Sequence, residues 1–154
     1  MDETSVQVLH EPNRPAKTKS FMWVMVGTAA DGRRIVLYTY SQRRSGEIAE
    51  SLLEGYKGSL QTDAYSGYNS VGRWKGIWHV GCMAHSRRKF HEAYIGAKRK
   101  GQAREGLLYI KRLYQIEREL RAKELPEDQF IRARRRAAAP VFRKFKKWLL
   151  EVSL

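Results

Sequence analysis

SQRRSGEIAESLLEGYKGSLQTDAYSGYN, residues 41–69, decides how the chain is read. Ser45 stands before GEIAESLLEGY, where its hydroxyl can cap a helix, and apolar residues at 48, 49, 52, 53 and 56 recur with helical spacing. Gly55 and Gly58 close that helix, and GSLQTD (58–63) then reads as a strand. A helix followed at once by a strand is a crossover, and a crossover returns a strand to the sheet it left. At the end of that strand stands a single acid, Asp63, with Tyr65, Gly67 and Tyr68 directly behind it. Ligands of open α/β sheets gather at the carboxyl ends of strands, where Asp63 falls.

Upstream, TSVQVL (4–9) alternates polar and apolar residues as a half-buried strand does. FMWVMVGT (21–28) is a short apolar run, Asp31-Gly32 is a hairpin turn, and IVLYTY (35–40) is the returning strand. Downstream, GIWHVGCM (76–83) reads as a fifth strand and AHSRRKFHEAYIGAKRK (84–100) as a helix. The remainder is helical in pattern, with Pro126 suited to a first turn and Pro140 expected to break or kink the last run. The expected architecture is α/β, a mixed sheet of about five strands over residues 1–100, with a basic helical extension over 101–154.

Charge sorts the functions open to such a chain. Its 154 residues carry a net charge of +14. Residues 1–96 hold +4 of that and residues 97–154 hold +10. An excess on this scale attracts polyanions, nucleic acid above all, although anionic membranes and acidic proteins share the chemistry. One cysteine, Cys82, allows no internal disulfide and fits a reducing cytoplasm. No apolar run reaches 18 residues, and the first dozen residues lack the basic region of a signal peptide, so a cytoplasmic location with no membrane contact is expected.

Asp2 is the second acid of interest, since it opens the first strand. Two carboxylates brought together repel unless a cation lies between them, and magnesium takes hard oxygen ligands of this kind. The structural alternative is that Asp63 caps the turn before Tyr65–Tyr68 and that Asp2 frays. Cys82 and His85, with His79 and His91 nearby, have zinc-compatible types, but one Cys-x-x-His without a second pair is a weak signal. Tyr65, Tyr68, Trp74 and Trp78 are aromatic side chains able to stack on bases, with Trp78 read as a core residue because it lies in a strand. Arg87, Arg88, Lys89, Arg134, Arg135, Arg136, Lys144, Lys146 and Lys147 are the expected contacts to a phosphate backbone.

LQTDAYSGYN followed by GCMAHSRRKFHEA resembles the transposase family of insertion sequence 66, and DETSVQVL and SQRRSGE fit the same pattern. The resemblance implies a ribonuclease H-like fold, a D–D–E triad, Mg2+ or Mn2+ as cofactor, and DNA (transposon ends and target) as substrate. It makes Asp2 and Asp63 the first two catalytic acids and metal ligands. The family's third acid lies beyond a helical insertion, so the chain is expected to be a central fragment lacking it, able to meet itself or a full-length transposase. Two alternatives stay open: a non-catalytic DNA-binding remnant, and a ribonuclease H-like nuclease using Asp2, Asp63 and either Glu47 or Glu50.

Overall fold

In the computed structural model, which describes residues 1–152, the chain divides into two compact units, Met1–Cys82 and Met83–Leu154. The first is α/β. Strands β1 (Asp2–Gln7), β2 (Lys19–Thr28) and β3 (Arg34–Ser41) form an antiparallel sheet in the order β1-β2-β3. The β2–β3 turn needs a residue at positive φ, and Gly32 supplies it at +83° while the Asp31 carboxylate accepts from the Arg33 amide at 3.0 Å. Helix α1 (Gly46–Leu52) follows, and strands β4 (Gly58–Thr62) and β5 (Ile77–Gly81) pair parallel to each other.

The single five-stranded sheet expected from the sequence is therefore two hydrogen-bonded sheets, of three and two strands. Their backbones meet more narrowly than in a ladder: the Met1 nitrogen donates to the Gln61 carbonyl oxygen at 2.8 Å, which sets the start of β1 against β4.

A core closes over one face of the three-stranded sheet. Trp23 of β2, Ala49 and Leu53 from the α1 segment, Leu60 of β4, Tyr68, Val71 and Ile77 are all buried. Trp23 meets Tyr68 edge-on with ring centroids 6.1 Å apart, the favoured geometry for paired aromatic rings. The loop before β2 is pinned by Glu11, whose carboxylate accepts from Arg14 at 2.7 Å, from the Ser20 hydroxyl at 3.0 Å, and from the Tyr40 phenol. The Tyr40 hydrogen bond, joined by those of Ser20, Gln42 and Arg14, holds the Glu11 carboxyl below its ordinary range against the opposing effect of burial.

Three local expectations need correction. Ser45 precedes α1 but its hydroxyl makes no capping bond. Trp78 is 74% exposed and not in the core; β5 pairs only with β4, and every residue of it except Ile77 is exposed. Of the two outcomes expected at Pro140, the break does not occur: α4 runs from Glu127 to Val152 with the proline inside it.

The second unit consists of α2 (Met83–Gly96), α3 (Ala103–Arg121) and α4 (Glu127–Val152). Helix α2, read from the sequence with the first domain, groups here because it packs on α3. Ile110, Leu113, Ile116 and Leu120 fill the buried stripe of α3, and Phe90, Tyr109, Phe145 and Trp148 form an aromatic cluster with centroids 5.2 to 6.1 Å apart. Gly106 is where α2 meets α3, since a Cβ there would lie within 3.0 Å of the Phe90 ring.

Gly106→Ala reverses the usual sign of its class. Alanine is the better helix former by about 1 kcal/mol, yet here the added methyl group must displace a packed ring. The melting temperature of the variant, followed by circular dichroism at 222 nm, is expected to fall.

Candidate functional site

The two acids singled out in the sequence come together within the first unit. A carboxylate oxygen of Asp2 and one of Asp63 lie within 4.8 Å of one another. Asp2 reaches this place because it begins β1, and Asp63 because it directly follows β4, the strand met by the Met1 nitrogen. An open cleft of about 340 Å³, lined by Met1, Asp2, Glu3, Thr4, Val24 and Val26, lies beside Asp2.

Asp63 is also a turn-capping residue. Its Oδ1 accepts from the Tyr65 amide at 2.9 Å, and its Oδ2 is 3.9 Å from an Arg44 guanidinium nitrogen. The structural and chemical readings of Asp63 are thus compatible, since the cap fixes the direction in which the second oxygen points. On Asp2, Oδ1 accepts from the Glu3 amide at 2.9 Å.

Sequence reading missed Glu3. Its side chain is only 1% exposed, which would be prohibitive for an unpaired carboxylate. Arg44 meets its Oε1 at 2.5 Å, and the Tyr68 phenol donates to its Oε2. Arg44 lies 3.8 Å from the Tyr65 ring centroid, and the Tyr65 phenol donates to the Arg44 carbonyl at 2.9 Å. One guanidinium therefore faces two acids and one aromatic ring. Burial works against the Arg44 cation, but its hydrogen bond to Glu3 and the charges of Glu3, Tyr65 and Asp63 outweigh that and raise its pKa. The available signal was the short spacing of Asp2-Glu3 and Arg43-Arg44, two charged pairs 41 residues apart, which no local pattern connects.

Tyr65 and Tyr68, offered as stacking residues, are used internally, Tyr68 being fully buried. Of the zinc-compatible residues, Cys82 is a free, partly buried thiol, and the His79 Nε2 lies 2.7 Å from the Thr62 hydroxyl. His85 and His91 lie on α2.

In the second unit, all nine expected phosphate contacts are exposed: Arg87, Arg88 and Lys89 on α2, and Arg134, Arg135, Arg136, Lys144, Lys146 and Lys147 on α4. They are not equivalent. Arg134 falls on the packed side of α4 and pairs with Glu117 of α3 at 2.7 Å, while Lys89 and Lys147 face Glu92 and Glu151. Arg132, Arg136, Arg143 and Lys147 recur at spacings of four, seven and four, so they form one outward stripe, flanked by Arg135 and Lys146.

The first unit is α/β and carries the acid pair, and the second is helical and strongly basic. The chain belongs to the family described as "Transposase IS66 family", whose model matches residues 1–154. Similar curated proteins come from Sinorhizobium fredii (strain NBRC 101917 / NGR234). Uncharacterized protein y4jD is 34% identical over 121 residues, 75% of this chain and 23% of that protein. Uncharacterized protein y4qI is 28% identical over 168 residues, 99% of this chain and 30% of that protein. The chain thus spans less than a third of the length of these relatives. No solved structure matches it. Among the described residues no helix is long and apolar enough to cross a membrane.

Arg44→Met leaves the Glu3 carboxylate buried against Tyr68 alone and is expected to cost about 3 kcal/mol, the low end for a broken buried pair because the guanidinium is partly in water. Urea denaturation measures this. Glu3→Gln should cost less, since it removes the buried charge while keeping a hydrogen-bonding group.

A second outcome follows from Tyr68. Burial first, then its hydrogen bond to Glu3 and the charges of Glu3, Asp63 and Asp2, push its phenol well above the ordinary value of 10.0. In the unfolded chain that phenol ionises near pH 10, whereas in the folded chain it stays neutral. Its contribution to stability is therefore full below pH 10 and is lost progressively as pH rises above it. Alkaline titration of the unfolding free energy should show this loss, and Tyr68→Phe should flatten it.

Proposed function

We propose that this chain forms part of the catalytic core of an insertion-sequence transposase that cleaves and joins DNA strands, and that Asp2 and Asp63 are its first two metal-binding acids. The approach of the two carboxylates to within 4.8 Å carries the reading. Family membership supports it, since a transposase takes DNA as its substrate. The antiparallel β1-β2-β3 order, with β4 met by the start of β1 and β5 parallel to β4, is compatible with a ribonuclease H-like sheet.

The donor set suits magnesium or manganese, because both ligands are hard carboxylate oxygens. When bound, such a cation activates an attacking oxygen and stabilises a leaving one in phosphoryl transfer. The residues of this chain do the holding. Asp2 and Asp63 present oxygens from two different sheets, the Tyr65 amide fixes the Asp63 carboxylate, and Arg44 offsets part of its charge. Arg135, Arg136, Arg143, Lys144 and Lys146 make no ion pair among the described residues and are free for phosphates. Arg87 and Arg88 add positive charge on α2.

Glu47 and Glu50, the helix acids of the nuclease alternative, do not share the position of Asp2 and Asp63. Among the described residues neither lies within 4.8 Å of both acids, and Glu50 accepts from the Ser70 hydroxyl. The non-catalytic remnant makes a different prediction from the transposase core and is separated by experiment.

Incubation of the chain with supercoiled plasmid and Mg2+ or Mn2+ tests this: nicked product that is lost in Asp63→Asn and Asp2→Asn supports the catalytic core. Binding without nicking would favour the remnant, and neither binding nor nicking would overturn the DNA reading. Affinity for duplex DNA should fall linearly on a log–log salt plot. Neutralising Arg135 and Arg136 should flatten that slope by up to about 2 units, whereas Arg134→Gln, which loses a bond to Glu117, should leave it nearly unchanged.

A further inference from the structure

We propose that Tyr38, with Tyr40 beside it, is a stacking platform for a nucleobase of the DNA strand whose phosphate lies at Asp2 and Asp63. The inference rests on the DNA-acting reading above and on the register of the three-stranded sheet. Asp2 stands directly opposite Val24, and Val24 directly opposite Tyr38. Directly opposed residues in an antiparallel ladder share a face, so Asp2, Val24 and Tyr38 form one row across three strands. The next row on that face is Thr4, Met22 and Tyr40. This face is opposite to the one on which Trp23 enters the core.

Two strand spacings separate Asp2 from Tyr38, about 10 Å in all. The cleft lined by Met1, Asp2, Glu3, Thr4, Val24 and Val26 opens beside Asp2, and Val24, the residue between Asp2 and Tyr38 in the row, is apolar. Tyr38 is 68% exposed and Tyr40 44% exposed, which is a large apolar outlay for an edge strand with no occupant. Their rings are one i, i+2 step apart, about 6.7 Å, comparable with the step between nucleotides of a stretched single strand. Tyr40 is held by its hydrogen bond to Glu11, so half the platform is already ordered.

Charge identifies the occupant. Arg34 lies on the same face of β3 as Val36, Tyr38 and Tyr40, at i, i+2, i+4 and i+6. It makes no ion pair among the described residues, and the chain carries a net +14. A row with one cation, Arg34, and two open aromatic rings, on the sheet face that Asp2 shares, matches a polyanion whose bases are planar. An apolar peptide would use the rings and leave Arg34 idle.

The test uses the whole chain and a single-stranded oligonucleotide carrying 2-aminopurine, whose emission falls when it stacks. Tyr38→Ala should weaken binding at least about fivefold at every salt concentration, since a stacked base contributes on the order of 1–3 kcal/mol. The salt slope should not change, because no phosphate contact is removed. Tyr38→Phe keeps the ring and should bind within about twofold of the original chain, with the quench retained. Salt-dependent binding that Tyr38→Ala leaves unchanged, with the same quench, would overturn the platform alone. No binding by the original chain would overturn the DNA reading and the platform together. Because Tyr38 is mostly in solvent, both variants should keep their thermal melts.

Discussion

Glu3 is a carboxylate almost wholly out of water, and a charge in that position persists only if a cation is built against it. Arg44 is that cation, and its placement organises the unit around it. The guanidinium reaches back 41 residues to the first strand, lies on Tyr65, and faces Asp63. Tyr68 closes the other side of Glu3 and passes the constraint to Trp23 in the core. The segment between β3 and α1, the turn after β4, and the first strand are thereby tied at one point. Asp2 and Asp63 sit immediately beside the residues so tied, one position before Glu3 and two before Tyr65.

That arrangement separates two tasks that acids perform in the same small volume. Glu3 and Glu11 are buried, each matched to an arginine and a phenol, and hold structure. Asp2 lines the cleft, and its carboxylate approaches that of Asp63. A similar division runs through the basic residues of the second unit. Arg134 is engaged with Glu117 on the packed side of α4, while the Arg136–Arg143–Lys147 line looks outward. Counting charges along the sequence merges the two groups, and only packing tells them apart.

Much of the secondary structure was legible because its signals are local. The Asp31-Gly32 turn, the short helix before GSLQTD and the amphipathic faces of the last two helices each rest on spacing within a dozen residues. The failures share a cause in the opposite direction. Trp78 reads as core because apolar residues in strands usually are, but whether a strand has a covered second face depends on what lies next to it. Pro140 reads as a break or a kink because its local cost is certain, yet the helix continues through it. Glu3 looks like any polar residue in an alternating strand until Arg44 is placed against it. The pairing of Asp2 with Asp63 rested on resemblance, since nothing in the 60 residues between them encodes their distance. The face shared by Asp2 and Tyr38 required the register itself.

Three kinds of contact join the two sheets, and none of them is a strand ladder. The Met1 nitrogen reaches the Gln61 carbonyl oxygen, Trp23 shares a core with Leu60 and Ile77, and Arg44 pairs with Glu3 of β1 while facing Asp63 after β4. A ladder fixes spacing all along a strand, whereas packing and ion pairs fix it only at the residues that make them. The distance between the Asp2 and Asp63 carboxylates is therefore a property of side chains, so a change at Arg44 would alter it without touching either acid.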